Sequence, residues 1–164
     1  MVSLKYVETA IVFREIPDEI TLAVNISGCP NRCPDCHSKY LWEDKGKPLT
    51  WTSLKNLFRS NRGISCVCFM GGDNDTLALN LLAENIRNSP VFGFLKIGWY
   101  SGLNKIPDNI NVGNFDYIKI GPFNKEFGPL DNPSTNQKFY EVCRISKLPF
   151  RYSLIDKTYL FWKK

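Results

Sequence analysis

Three cysteines at positions 29, 33 and 36, spaced C-x3-C-x2-C and followed at once by His37, are the residues of this chain best suited to chemistry. Thiolate is a soft ligand that suits zinc or iron–sulfur clusters, and a structural zinc site takes four ligands in a closed tetrahedron. His37 is the only histidine. Its place directly after Cys36 leaves it poorly set to fold back onto an ion held by its neighbour, and zinc ribbons usually draw their ligands from two separated pairs. Three closely spaced cysteines without a second such pair better fit a cluster of four irons in which one iron has no protein ligand. Zinc, and cysteines that are incidental or disulfide-forming, stand as the alternatives.

Such a site needs elements to hold it, and the sequence supplies them in alternation. "EITLAVNIS" (19–27) is a β-branched, apolar run that leads through Gly28 into the first cysteine, so the thiol loop leaves a strand end. "TWTSLKNLFRS" (50–60) offers threonine caps and apolar Leu54, Leu57 and Phe58 at helical spacing. "SCVCFMGG" (65–72) reads as a strand that ends in paired glycines. "NDTLALNLLAENIRNS" (74–89) reads as a helix with Leu77, Leu81, Leu82 and Ile86 on its apolar stripe and Asp73 or Asn74 as cap. "FGFLKIGWYSG" (92–102) and "FDYIKIGPF" (115–123) read as further strands, and "NQKFYEV" and "YSLIDKTYLFWKK" as additional strand material.

Strands separated by helices predict an α/β fold with a mostly parallel, curved sheet. In such sheets chemistry sits beyond the carboxyl ends of the strands. The thiol loop, Gly71-Gly72, Tyr100-Ser101-Gly102 and Gly121-Pro122 are all expected at that edge. A complete eight-unit barrel takes about 250 residues, so 164 residues predict an open partial (βα) barrel, laterally open, with the thiol loop after its first strand. One domain over residues 1–164 is expected, with no repeat, low-complexity tract or linker.

Composition narrows the function classes. Twenty-one basic and 16 acidic residues give a net charge of +5, and they are interspersed rather than gathered into the basic stripe of a nucleic-acid binder. No apolar run approaches the roughly 18 residues of a membrane span, and the start lacks the uninterrupted apolar core of a signal peptide. A cytoplasmic location follows as the expectation. In that reducing compartment, clustered cysteines more often bind metal or do chemistry than form disulfides.

The chain resembles the radical S-adenosylmethionine (SAM) superfamily and, within it, the family of activating proteins of the anaerobic ribonucleoside-triphosphate reductase. The resemblance covers nearly the whole chain. It rests on "EIPDEITLAVNISGCPNRCPDCHSKYLW", on "FMGGD", on "GWYSG" and on "FDYIKIGPFNKEFGPLDNPSTNQKFY". It implies that Cys29, Cys33 and Cys36 bind a [4Fe-4S] cluster whose fourth iron is chelated by the amino and carboxylate groups of SAM. It further implies an oxidoreductase in which one electron from the cluster, supplied by flavodoxin or another low-potential donor, cleaves SAM to methionine and a 5'-deoxyadenosyl radical. That radical takes a hydrogen from a glycine of the reductase large subunit and leaves a glycyl radical. No general base is required, and none is nominated.

The resemblance also implies SAM contacts. Gly71-Gly72-Asp73 is similar to the superfamily's Gly-Gly-Glu, where strand-end backbone meets the methionine amino group, and Asp73 stands here in place of Glu. Asp35 and His37 flank Cys36 where relatives line the adenine, and Asp35 stands where many members have an aromatic residue. Tyr100 and Ser101, with Gly102, are placed to touch ribose or methionine. The plainer readings are a packing His37, a core Tyr100, and a glycine turn with Asp73 capping the next helix. Cys66, Cys68 and Cys143 are assigned to packing, and Lys119 and Lys125 to the solvated surface. Two other function classes compete with the activase: a radical SAM enzyme acting on a small molecule, resembling the ring-contracting deazaguanine synthase, and a zinc-stabilised binding module.

Overall fold

The computed structural model describes residues 4–147 and 150–162. The terminal residues of the expected 1–164 domain and of the tail segment therefore lie outside the described residues. Eight strands form a single sheet in the order β3-β1-β2-β4-β5-β6-β7-β8. They are β1 (Lys5–Val12), β2 (Thr21–Ile26), β3 (Lys47–Pro48), β4 (Cys66–Met70), β5 (Lys96–Tyr100), β6 (Tyr117–Ile120), β7 (Lys138–Lys147) and β8 (Phe150–Asp156). The helices are α1 (Trp51–Ser60) and α2 (Thr76–Arg87).

This overturns the expected partial (βα) barrel: the sheet is mixed, mostly strand, and carries only two helices among the described residues. Only β2, β4, β5 and β6 run parallel to one another. β1 pairs antiparallel with β2 and β3, and β7 pairs antiparallel with β6 and β8. The cause lies in the connections. A parallel pair needs a crossover, and α1 and α2 serve two of the three. The third, residues 101–116, contains Gly102, Pro107 and Gly113 among several Asn and Asp residues, and folds only into a 3-10 turn at Val112–Asn114. The thiol loop also leaves the second strand rather than the first, because β1 precedes it.

Both helices cover one face. Alternation along β4 sends Val67 and Phe69 to that side, where they join Leu54 and Phe58 of α1 and Leu79, Leu82, Ala83 and Ile86 of α2. The opposite face receives Cys66 and Cys68, packed with Ile16 from the β1–β2 connection and Phe139 of β7. Thr50 and Ser53 form a reciprocal capping box at α1. The cap of α2 is Asp75, whose Oδ1 accepts from the Ala78 amide at 3.0 Å, and neither Asp73 nor Asn74 takes that part. The helix therefore buries Leu79, Leu82, Ala83 and Ile86, while Leu77 and Leu81 of the expected stripe are about half exposed. No helix among the described residues is long and apolar enough to cross a membrane.

Candidate functional site

Four parallel neighbours place four carboxyl ends side by side, at Ile26, Met70, Tyr100 and Ile120. The loops that leave them enclose a cleft of about 210 Å³ lined by Cys29, Cys33, Cys36, Gly71, Asp73, Tyr100 and Ser101, with Lys119 at its base. The three thiols, which are half-buried, therefore share one cavity with residues as distant in sequence as Gln137. The thiol loop begins at Gly28, where φ is +77°, and is tied back by the Gly28 amide to the Glu43 carbonyl (3.2 Å) and the Cys29 amide to the Leu41 carbonyl (3.0 Å). Within it the Cys36 amide donates to the Cys33 carbonyl at 3.1 Å, and the Ser38 amide to Cys36 Sγ at 3.3 Å.

Gly71 and Gly72 both take positive φ, +112° and +99°, which L side chains rarely adopt. Only Gly71 lines the cleft. Its carbonyl accepts from Trp99 Nε1 at 2.9 Å and its amide donates to the Tyr100 carbonyl at 3.0 Å, so the strand-end backbone is fixed from both sides. Gly72 instead admits α2, since a Cβ there would stand 3.3 Å from both Leu79 methyl carbons. Asp73 accepts three hydrogen bonds: from Ser101 Oγ at 2.7 Å, from the Gly102 amide at 2.8 Å and from Asn31 Nδ2 at 2.5 Å. Tyr100 contributes its ring to the cleft while its buried hydroxyl donates to the Glu15 carbonyl, and burial holds its pKa well above the usual range.

Asp35 and His37 do not line this cleft. Asp35 lines two adjacent pockets, one shared with Asn31 and Cys33 and the other with Cys36 and His37, and the His37 ring stands 5.4 Å from that of Phe123. Phe123, on the connection after β6, lines the cleft as well. Asp35 has φ +59° and so sits in the left-handed region, which asparagine and aspartate tolerate better than most residues. Cys66 and Cys68 are fully buried, and burial pushes the Cys66 thiol up to about 12 and holds the Cys68 thiol well above its usual value. Neither belongs to the cleft.

Lys119 reverses the expectation of a solvated surface lysine. It is 8% exposed, its Nζ donates to the carbonyls of Ser101 (3.0 Å) and Gly121 (2.8 Å), and it lies 5.9 Å from the centre of the Tyr100 ring. Burial lowers its pKa from 10.5 to about 8, while Asp73 and the thiols of Cys33, Cys29 and Cys36 act in the opposite direction. The register that pairs Tyr100 with Lys119 is the signal that would have found it. Asn31, Trp42 and Gln137 also line the cleft; each falls in a stretch that carries the resemblance, but residue type and spacing did not single them out.

Among the described residues no group of three or more His, Cys, Asp or Glu side chains is arranged to hold a metal ion. The three thiols line one cavity. A polynuclear iron–sulfur centre distributes its thiolates over separate irons and needs no common point. The soft donor set fits such a centre. The buried indole N–H of Trp42, which has no partner, adds a donor to the same lining for an acceptor-rich ligand. No family model, curated protein or solved structure matches the chain.

Proposed function

We propose that the chain is a radical SAM activase that installs a glycyl radical on the large subunit of an anaerobic ribonucleoside-triphosphate reductase. The observation that carries this reading is the meeting of three thiols, a glycine strand end and a buried lysine in one cleft beyond four parallel strands. Cys29, Cys33 and Cys36 would hold a [4Fe-4S] cluster, leaving one iron for SAM. When bound and reduced by a low-potential donor, the cluster would supply the single electron that breaks a sulfur–carbon bond of SAM.

The chain's own residues then bind, orient and exclude water. Gly71 presents backbone without a side chain in the way, and its conformation is locked by Trp99 and Tyr100. Lys119 places a cation under an otherwise anionic set of thiolates and Asp73, which limits the accumulation of negative charge. Trp42, Tyr100 and Phe123 wall the cleft with aromatic surface. Asp35 and His37 stand outside that wall, so the adenine contacts implied by the resemblance would be made through the loop backbone or after a local movement. A low-potential donor such as flavodoxin and the reductase large subunit are the partners this reading requires.

The test is anaerobic reconstitution with iron and sulfide, reduction, and electron paramagnetic resonance with and without SAM. A reduced [4Fe-4S] signal whose shape changes on adding SAM is expected, followed by a glycyl-radical signal when the large subunit is present. A colourless protein that retains zinc overturns the reading in favour of a binding module. Cluster formation with turnover on a small molecule and no glycyl radical overturns the activase assignment.

A further inference from the structure

We propose that Asp73 is a positioning residue: it clamps the arm between Cys29 and Cys33 to the end of β5, through Asn31, before any cofactor binds. Asn31 lies inside the thiol loop, and its Nδ2 reaches Asp73 Oδ2 at 2.5 Å. The same oxygen receives the Gly102 amide at 2.8 Å, and Oδ1 receives the Ser101 hydroxyl at 2.7 Å. Ser101 is 1% exposed, and its Oγ accepts in turn from the Leu103 amide at 3.0 Å. One carboxylate thus joins the connections that follow β2, β4 and β5.

Two observations separate this role from the alternatives. A carboxylate offers about four acceptor positions, and three are filled from within the chain, so little of Asp73 is left for a ligand's amino group. Nor is it a helix cap, since Asp75 caps α2. The fit around the clamp is close: a Cβ on Gly102 would stand 2.5 Å from Asn31 Nδ2, so Gly102 lets the asparagine approach. Asn31 Nδ2 also lies 3.7 Å from Cys29 Sγ, which places the clamp directly against the first thiol. The proposal rests on the activase reading for its consequence, a thiol loop already shaped for its cluster, while the clamp itself belongs to the cofactor-free chain.

The deciding experiment uses the full cofactor-free chain under reducing conditions. Alkylation rates of each cysteine are measured by mass spectrometry in the wild type, Asn31→Ala, Asp73→Asn and the double variant. Each single change is expected to raise the rates of Cys29 and Cys33 about tenfold, the loss of one hydrogen bond to a charged group. The double variant should go no further, because both changes release one coupled unit. Cys143, on β7, should keep its rate in all four proteins. Unchanged rates at Cys29 and Cys33 in Asn31→Ala, or additive effects in the double variant, overturn the clamp. In the reconstituted protein, the SAM concentration that half-completes the change in resonance line shape should rise by the same factor in Asn31→Ala as in Asp73→Asn. A rise confined to Asp73→Asn would make Asp73 a direct ligand contact. Failure to form any cluster would count against the activase reading and leave the alkylation result standing by itself.

Discussion

Replacing Lys119 by methionine gives the sharpest physical test of the cleft. The lysine is buried, with Nζ on the carbonyls of Ser101 and Gly121, and burial lowers its pKa from 10.5 to about 8. At pH 7 the cofactor-free folded chain therefore holds a proton less tightly than the unfolded chain does, at a cost of about 3 kcal/mol. Between about pH 8 and 10.5 the unfolded chain keeps that proton and the folded chain releases it, so stability rises with pH. From pH 7 to 9.5 the gain is about 2 kcal/mol. Methionine cannot titrate, and it leaves the Ser101 carbonyl without this donor, a loss of about 1 kcal/mol. Urea unfolding of the metal-free, reduced protein should thus find Lys119→Met more stable at pH 7 by about 1–2 kcal/mol. That advantage should shrink steadily and vanish near pH 9.5. The groups that face the ammonium are Asp73, Tyr100 and the three cleft thiols. Parallel stability curves for the two proteins would refute the assignment of a desolvated, titrating lysine.

Three further outcomes follow from the same geometry. Cys66 and Cys68, buried and with thiol pKa values raised by burial, should resist alkylation in the native protein while Cys29, Cys33, Cys36 and Cys143 react; site-resolved labelling checks this. His37→Ala should leave cluster incorporation and the SAM-induced spectral change within twofold of wild type, because the ring packs on Phe123 outside the cleft; a larger loss would bring His37 into the site. Trp99→Phe keeps the ring packing and removes the indole N–H from the Gly71 carbonyl, so thermal or urea unfolding should show about 1 kcal/mol of destabilisation.

The parallel centre of the fold was legible because β2, β4, β5 and β6 are short apolar runs that end in turn signals. β1 was not, since "KYVETAIV" is mostly half-exposed near the sheet edge and lacks a continuous apolar signal. Strand character in the tail could be read for Phe150–Asp156, although Thr158–Phe161 folds into a 3-10 turn instead; its antiparallel direction could not, because direction is set by whether a connection can carry a crossover. The stripe of α2 was half misplaced among seven apolar positions: Leu82 and Ile86 were placed, but a leucine-rich helix offers more than one arc, and only packing in the core selects Leu79 and Ala83 over Leu77 and Leu81. At the cleft, the cysteines and strand-end glycines stand out by type and spacing. Lys119 does not, because a lysine in a strand is exposed by default. Asn31 and Asp73 reveal their partnership only when loops 42 positions apart are brought together.

The parallel order also sets a sequence of events during synthesis. The thiol loop is complete by residue 36, yet the carboxylate that anchors it arrives at 73, the serine at 101 and the lysine at 119. Contacts of such sequence separation form late and slowly, after loop-closure entropy has been overcome. As the chain emerges, its three soft donors therefore exist for a time with no cavity around them, open to any thiophilic ion or oxidant. On the proposed reading, a cluster would be loaded only onto the finished fold, once β6 has docked.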